Sequence, residues 1–171
     1  DTFRLDGKVA VITGAGKGIG RAIAIGLAEA GADVAIGART AADLEAVAEE
    51  IRARGRRALA VPTDATSMAA LEVLAERTAA ELGPIGIWVS NAGGIPDGNP
   101  NYLTRTTEAS WDAQIDLNLK AVWMGAVVAA KFMRDDGGVI LNTSSRSSFG
   151  PQVKNGPYGA AKAAVNSLTA T

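Results

Sequence analysis

Tyr158 and Lys162 stand four residues apart at the start of a helix-forming run, so they share one face. A free phenol, with a pKa of about 10, is a poor base at neutral pH. An ammonium beside it favours the phenolate. Such a pair can give a proton to a carbonyl oxygen or take one from an alcohol. Ser145, in the run Ser144-Ser-Arg-Ser-Ser148, can donate a hydrogen bond to the same oxygen, and Ser144 is its rival. The bland alternative is an aromatic at a helix start, a surface lysine and turn-forming serines. The 171-residue chain contains no His and no Cys. That excludes Ser-His-Asp triads, imidazole bases, thiolate metal sites and disulfides. Acid–base chemistry is left to Tyr, Lys, Asp and Glu.

A second feature lies near the start, in Thr13-Gly-Ala-Gly-Lys-Gly-Ile-Gly20. Glycines there let the backbone turn sharply and approach a phosphate, while a following helix N-terminus supplies free N–H groups. The spacing, from Gly14, Gly18 and Gly20, is GxxxGxG. Ile19 stands where a strict GxGxxG has its third glycine, and the flanking residues do not make a P-loop. A glycine-rich turn without a ligand is the alternative.

These residues need elements to hold them, and the chain supplies alternating strands and helices. Strands are expected at Val9–Thr13, Asp33–Ala38, Ala58–Val61, Ile85–Ser90 and Val139–Thr143. Helices are expected at Arg21–Ala30, Ala42–Arg54, Met68–Leu82, Trp111–Arg134 and from Tyr158 onward, with core faces Ile23, Leu27 and Ala30 in the first and Leu44, Val47, Ala48 and Ile51 in the second. Gly94–Asn101 and Ser145–Pro157 are loops. The alternation predicts an α/β fold with a doubly wound parallel sheet, Rossmann-like and three-layered, in a single domain over residues 1–171. The last helix is still running at Thr171, and a doubly wound sheet usually continues, so a further C-terminal part is expected.

Apolar residues make up 47% and charged residues 20% of the chain, a globular composition. With 17 Lys and Arg against 18 Asp and Glu, no broad basic field exists for nucleic acid or an anionic membrane. Ala121–Ala130 is too short to span a membrane, and no targeting segment is visible. A cytoplasmic protein is expected.

The loop TGAGKGIG resembles that of the short-chain dehydrogenase/reductases, in the single-domain branch with TGxxxGxG. Asn91-Ala92-Gly93 is similar to that family's NNAG, with Ser90 in place of the first Asn. Asn118, Ser145 and Tyr158-Gly-Ala-Ala-Lys162 (YxxxK) follow in family order, so the likeness runs from about Leu5 onward. It implies that the further C-terminal part holds strands and a substrate lid, and it implies catalysis by Asn118, Ser145, Tyr158 and Lys162. Lys162 would also hold the nicotinamide ribose, and Asn118 would help hold a water beside the lysine. It implies cofactor binding by Gly14, Gly16, Lys17, Gly18, Ile19, Gly20, Arg39, Asp64, Ala65, Asn91, Ala92, Gly93 and Thr143, together with Tyr158 and Lys162. Asp64 has a plainer alternative as a helix cap with Thr66 and Ser67.

The second strand ends in Ala38-Arg39-Thr40 without an acid. A carboxylate there favours a free ribose 2′-OH, and cations favour a 2′-phosphate. Arg39 and Lys17 therefore point to NADP(H), with NAD(H) possible. The expected reaction interconverts a carbonyl and a secondary alcohol of a small molecule by hydride transfer. A non-catalytic NADP(H)-binding regulator, or an inactive truncated reductase, is the alternative. Ile95, Pro96, Tyr102, Arg146, Phe149, Gln152 and Val153 are candidates to line the substrate region. Arg146 either meets an anionic group or faces solvent. The resemblance also implies a homodimer or homotetramer through the helices that carry Trp111 and Tyr158.

Overall fold

The computed structural model describes residues 3–96, 98, 101–150 and 153–171. Gln152 lies outside the described residues, as do Asp97, Asn99 and Pro100 of the Gly94–Asn101 loop. Five parallel strands form one sheet in the order β3-β2-β1-β4-β5, with β1 Val9–Thr13, β2 Asp33–Ala38, β3 Ala58–Pro62, β4 Ile85–Ser90 and β5 Val139–Asn142. The doubly wound, Rossmann-like sheet expected from the alternation is what the chain builds. Strand β1 lies at the centre and is buried along its whole length, as its unbroken apolar run requires.

Helices cover both faces. Against one face lie α1 (Gly18–Glu29) and α2 (Ala41–Arg52), whose Leu44, Val47, Ala48 and Ile51 meet Ile12, Val34 and Ile36. Helix α1 buries Ala24 and Ala28, and the expected Ile23 and Leu27 are only partly buried. Small side chains are what let a helix axis sit close to a sheet. The other face carries α3 (Met68–Glu81) and α5 (Ala121–Met133), packed on Val11, Ala35 and Trp88. Trp88 donates from Nε1 to Ser90 Oγ at 3.2 Å, beneath Gly125 of α5. A Cβ on Gly125 would lie 2.8 Å from that hydroxyl, so glycine sets how closely α5 approaches β4.

The expected helix at Trp111–Arg134 begins earlier and is not uniform. Helix α4 (Glu108–Ile115) is capped by Thr107, whose hydroxyl accepts from the Ser110 N–H at 3.2 Å. It runs through a π-helical turn, Asp116–Lys120, into α5. Helix α6 (Gly156–Thr169) starts two residues before Tyr158, with Pro157 in its first turn. Strand β5 is an edge among the described residues, and Val139 and Leu141 are half exposed there.

Candidate active site

The site lies where β1, β4 and β5 end, the edge at which open parallel sheets bind ligands. Thr13 closes β1 and joins it to the segment after β4. Its hydroxyl donates to Val89 O and accepts from the Asn91 and Ala92 N–H groups at 3.1 and 3.3 Å. Asn91 returns its Nδ2 to the carbonyls of Thr13 and Gly14 at 3.1 and 3.2 Å. Gly14 has φ +67°, and a Cβ there would come within 2.7 Å of Ala92 Cα. Two backbone segments therefore lie directly against each other, which only glycine permits.

Beyond them α1 begins. Its N-cap, Lys17, is extended and makes no side-chain cap, and the first turn holds no acid. The free N–H groups of that turn, with the positive end of the helix dipole, suit a pyrophosphate. Gly16 rests on Asp43 of α2, where a Cβ would be 3.1 Å from Asp43 Cβ. Arg39 follows β2 directly, and both it and Lys17 are exposed on the cleft. Asp64 accepts from the Thr66 N–H and hydroxyl at 2.9 and 2.7 Å. Those bonds hold its carboxyl below the usual carboxylate range against a smaller opposing effect of burial. Ser67, not Asp64, caps α3, accepting from the Ala70 N–H.

At the β5 end, Lys162 is buried, and Nζ donates to Thr143 O at 2.7 Å. Burial pushes the Lys162 ammonium below the ordinary lysine value. Nζ lies 5.8 Å from the centre of the Tyr158 ring. A Cβ on Gly93 would sit 3.3 Å from Nζ and 2.9 Å from Asn118 Oδ1, so this glycine leaves room for the lysine and the asparagine side by side. Asn118 is wholly buried. It clamps Gly94, accepting from its N–H at 2.8 Å and donating to its carbonyl at 2.7 Å, and it also donates to Gln114 O at 2.9 Å. Of the two serines, Ser144 donates to Lys162 O at 3.2 Å and is thereby tied to α6. Ser145 Oγ accepts from the Ser147 N–H at 3.2 Å, and its own proton is not committed to a described residue.

One cleft of about 880 Å³ gathers nearly the whole set, from Gly14 and Lys17 through Arg39 and Asp64 to Thr143, Ser145, Tyr158 and Lys162. Two of the predicted catalytic and cofactor residues stand off it: Gly18 opens α1 with φ +59°, and Asn118 lies behind Gly94. Of the described residues expected to line the substrate region, Pro96 lines this cleft and Ile95, Tyr102, Arg146, Phe149 and Val153 do not. Sequence reasoning missed Thr13, Gly94 and Asp43. Thr13 carried a signal, as a hydroxyl residue ending an apolar strand just before the glycines. Gly94 and Asp43 carried none, because their partners are distant in the chain or on another element.

The model of the short chain dehydrogenase family matches residues 8–171, and the chain belongs to that family. It is 41% identical to an uncharacterized oxidoreductase of Mycobacterium tuberculosis, over 99% of this chain and 64% of that protein. It is 37% identical to 2-dehydro-3-deoxy-D-gluconate 5-dehydrogenase of Dickeya dadantii, over 99% of this chain and 66% of that one. A solved structure of 7α-hydroxysteroid dehydrogenase, complexed with NADH and 7-oxo glycochenodeoxycholic acid, superposes with a TM-score of 0.90 at 36% identity, over 97% of this chain and 64% of that one. The chain thus spans just under two thirds of the relatives it matches. Among the described residues no helix is long and apolar enough to cross a membrane.

Proposed function

We propose that this chain forms the nucleotide-binding and catalytic part of a cytoplasmic, NADP(H)-dependent oxidoreductase that interconverts a carbonyl and a secondary alcohol. The observation that carries the reading is the convergence of Tyr158, Lys162 and Gly93 on the cleft, with Asn118 close behind Gly93 and Gly94. The bare N-terminus of α1 and the close backbone contact at Gly14 suit a dinucleotide's phosphates. When bound, the nicotinamide supplies or accepts the hydride.

Tyr158 gives its proton to the carbonyl oxygen in reduction and takes it back from the alcohol in oxidation. The Lys162 ammonium beside the ring steadies the negative charge left on the phenol oxygen, and the Thr143 carbonyl holds that ammonium in place. Ser145, with its uncommitted hydroxyl proton, orients the substrate oxygen, a role that Ser144 cannot share while it bonds to Lys162 O. Asn118 keeps Gly94 fixed, so that the segment after β4 forms a rigid wall beside the lysine.

Arg39 and Lys17, exposed on the cleft where no acid ends β2, support NADP(H) over NAD(H). The NADH complex of the hydroxysteroid dehydrogenase shows that relatives of this fold also take the other nucleotide. A homodimer or homotetramer is supported by Trp111, Trp123 and Val127, which leave an apolar stripe 38–46% exposed on α4 and α5.

The test is Tyr158→Phe. Against a panel of aldehydes and ketones with NADPH, turnover falls at least about a hundredfold while the Kd for NADPH stays within about twofold. Turnover kept by the variant overturns the mechanism. NADPH binding by the parent without turnover of any member favours a sensor. Arg39→Asp tests the nucleotide: the ratio of NADPH to NADH affinity drops by roughly tenfold or more, and an unchanged ratio removes the preference.

A further inference from the structure

Most of the chain's cations are neutralised by neighbours. Arg4, Arg21, Arg52, Arg54, Arg77 and Lys131 all sit in ion pairs. Lys17, Arg39, Lys162, Arg105, Arg146 and Lys154 form no ion pair among the described residues, nor do Lys8 and Arg134. The first three line the cleft. Arg105, Arg146 and Lys154 lie in the segments that follow β4 and β5, and nothing in the proposed reaction uses them.

Two of these meet on one aromatic ring. Lys154 Nζ lies 5.3 Å and the Arg105 guanidinium 6.0 Å from the centre of Tyr102, itself 45% exposed. Like charges brought to one ring repel each other, and a shared anion relieves that repulsion. The cluster is held against the start of α6. Asn101 bridges to Asn155, and a Cβ on Gly156 would lie 3.1 Å from Leu103 Cδ1. Tyr158 is in the same first turn, Pro96 of the Tyr102 segment lines the cleft, and Arg146 directly follows Ser145. Leu103 and Val153, next to Tyr102 and Lys154 in the chain, expose apolar surface and line one hollow together.

We propose that the substrate of this site is a carbonyl compound bearing a carboxylate, with Arg105 and Lys154 across Tyr102 as the pair that selects it. The inference rests on the oxidoreductase reading given above. The carboxylate accepts hydrogen bonds from the two cations, its apolar body lies on Leu103 and Val153, and its carbonyl reaches Tyr158. Arg105 and Lys154 are specificity-determining residues and take no part in the chemical step.

The experiment compares 4-acetylbenzoate and 5-oxohexanoate with their methyl esters. Binding to the protein–NADP+ complex is measured by calorimetry, and turnover is measured with NADPH, for the parent and for Arg105→Gln/Lys154→Gln. Both replaced residues are exposed, and a thermal melt within a degree or two of the parent confirms the fold. The parent binds at least one acid more tightly than its ester. In the double variant that acid-to-ester ratio falls about tenfold, and in the parent it falls with added salt. Equal ratios in parent and variant overturn the proposal, as does an ester bound as tightly as its acid. Absence of turnover for every compound, with the binding difference intact, overturns the oxidoreductase reading and leaves the carboxylate site standing.

Discussion

Lys162 carries the sharpest conflict between stability and chemistry. Its ammonium is buried with one carbonyl partner, and burial holds its pKa below the ordinary value. The unfolded chain therefore keeps the proton over a pH range in which the folded chain has released it. The cost to folding is fully present below the folded-state pKa and fades as pH rises from there toward the ordinary lysine value. Lys162→Met removes the cost along with the charge. The variant's stability relative to the parent is greatest near neutrality and declines toward pH 10, as followed by thermal melts across that range, while turnover falls at least about a hundredfold. A difference that grows with pH contradicts the burial argument. Asn118 shows how a single residue type can be informative: an amide between Leu117 and Leu119 needs buried partners, and Gly94 and Gln114 O supply them. Which backbone it grips was not visible in the sequence, because the partner lies one loop away.

At the scale of elements, most strands and helices were legible because their signals are local. Leu44, Val47, Ala48 and Ile51 fall at helical spacing and all are buried. The π turn at Asp116–Lys120 was not legible, since one extra residue in a helical turn leaves no trace in periodicity. The inner face of α1 was misjudged for a different reason: large apolar side chains dominate any reading of hydrophobicity, yet Ala24 and Ala28 are the ones that fit against the sheet. Another feature hidden in the sequence is Asp33, the first residue of β2, which pairs with Arg56 and Arg57 at 2.7 Å each. Arg57 also donates to the last carbonyls of α3, at Glu81 and Leu82, so one carboxylate steadies the sheet and a helix end together. Burial pushes the Asp33 carboxyl up, but the Arg57 N–H and the two guanidinium groups together bring it below the ordinary value. Its contribution is complete above the ordinary carboxylate pKa and is lost as pH falls through the folded-state pKa. Asp33→Asn costs about 2 kcal/mol in urea unfolding at pH 7. The gap closes below about pH 3, and a gap unchanged with pH excludes the charge as its cause.

Across the whole molecule, charge is sorted by place more than by amount. The chain is near neutral, yet the three cations that line the cleft, Lys17, Arg39 and Lys162, form no ion pair among the described residues, while nine others do. Exposed charges are screened within about 10 Å at 0.1 M salt. If Lys17 and Arg39 hold the 2′-phosphate as proposed, raising KCl from about 20 to about 200 mM weakens NADPH binding severalfold and NADH binding less. Equal salt slopes in a fluorescence titration place that phosphate elsewhere. None of this sorting could be taken from composition, which gives totals alone. It needed the fold to show which Lys and Arg have partners.

The order of the strands has a consequence for how such a protein changes over generations. Everything expected to touch the adenosine half of the dinucleotide lies between Thr13 and Thr66, and everything near the reacting carbonyl lies after Ser90. The two stretches meet along β1 and β4, through Thr13 and Asn91. A hybrid gene joined between α3 and β4 could therefore inherit its currency of reducing power from one parent and its chemistry from another, provided the threonine and asparagine at the seam travel together.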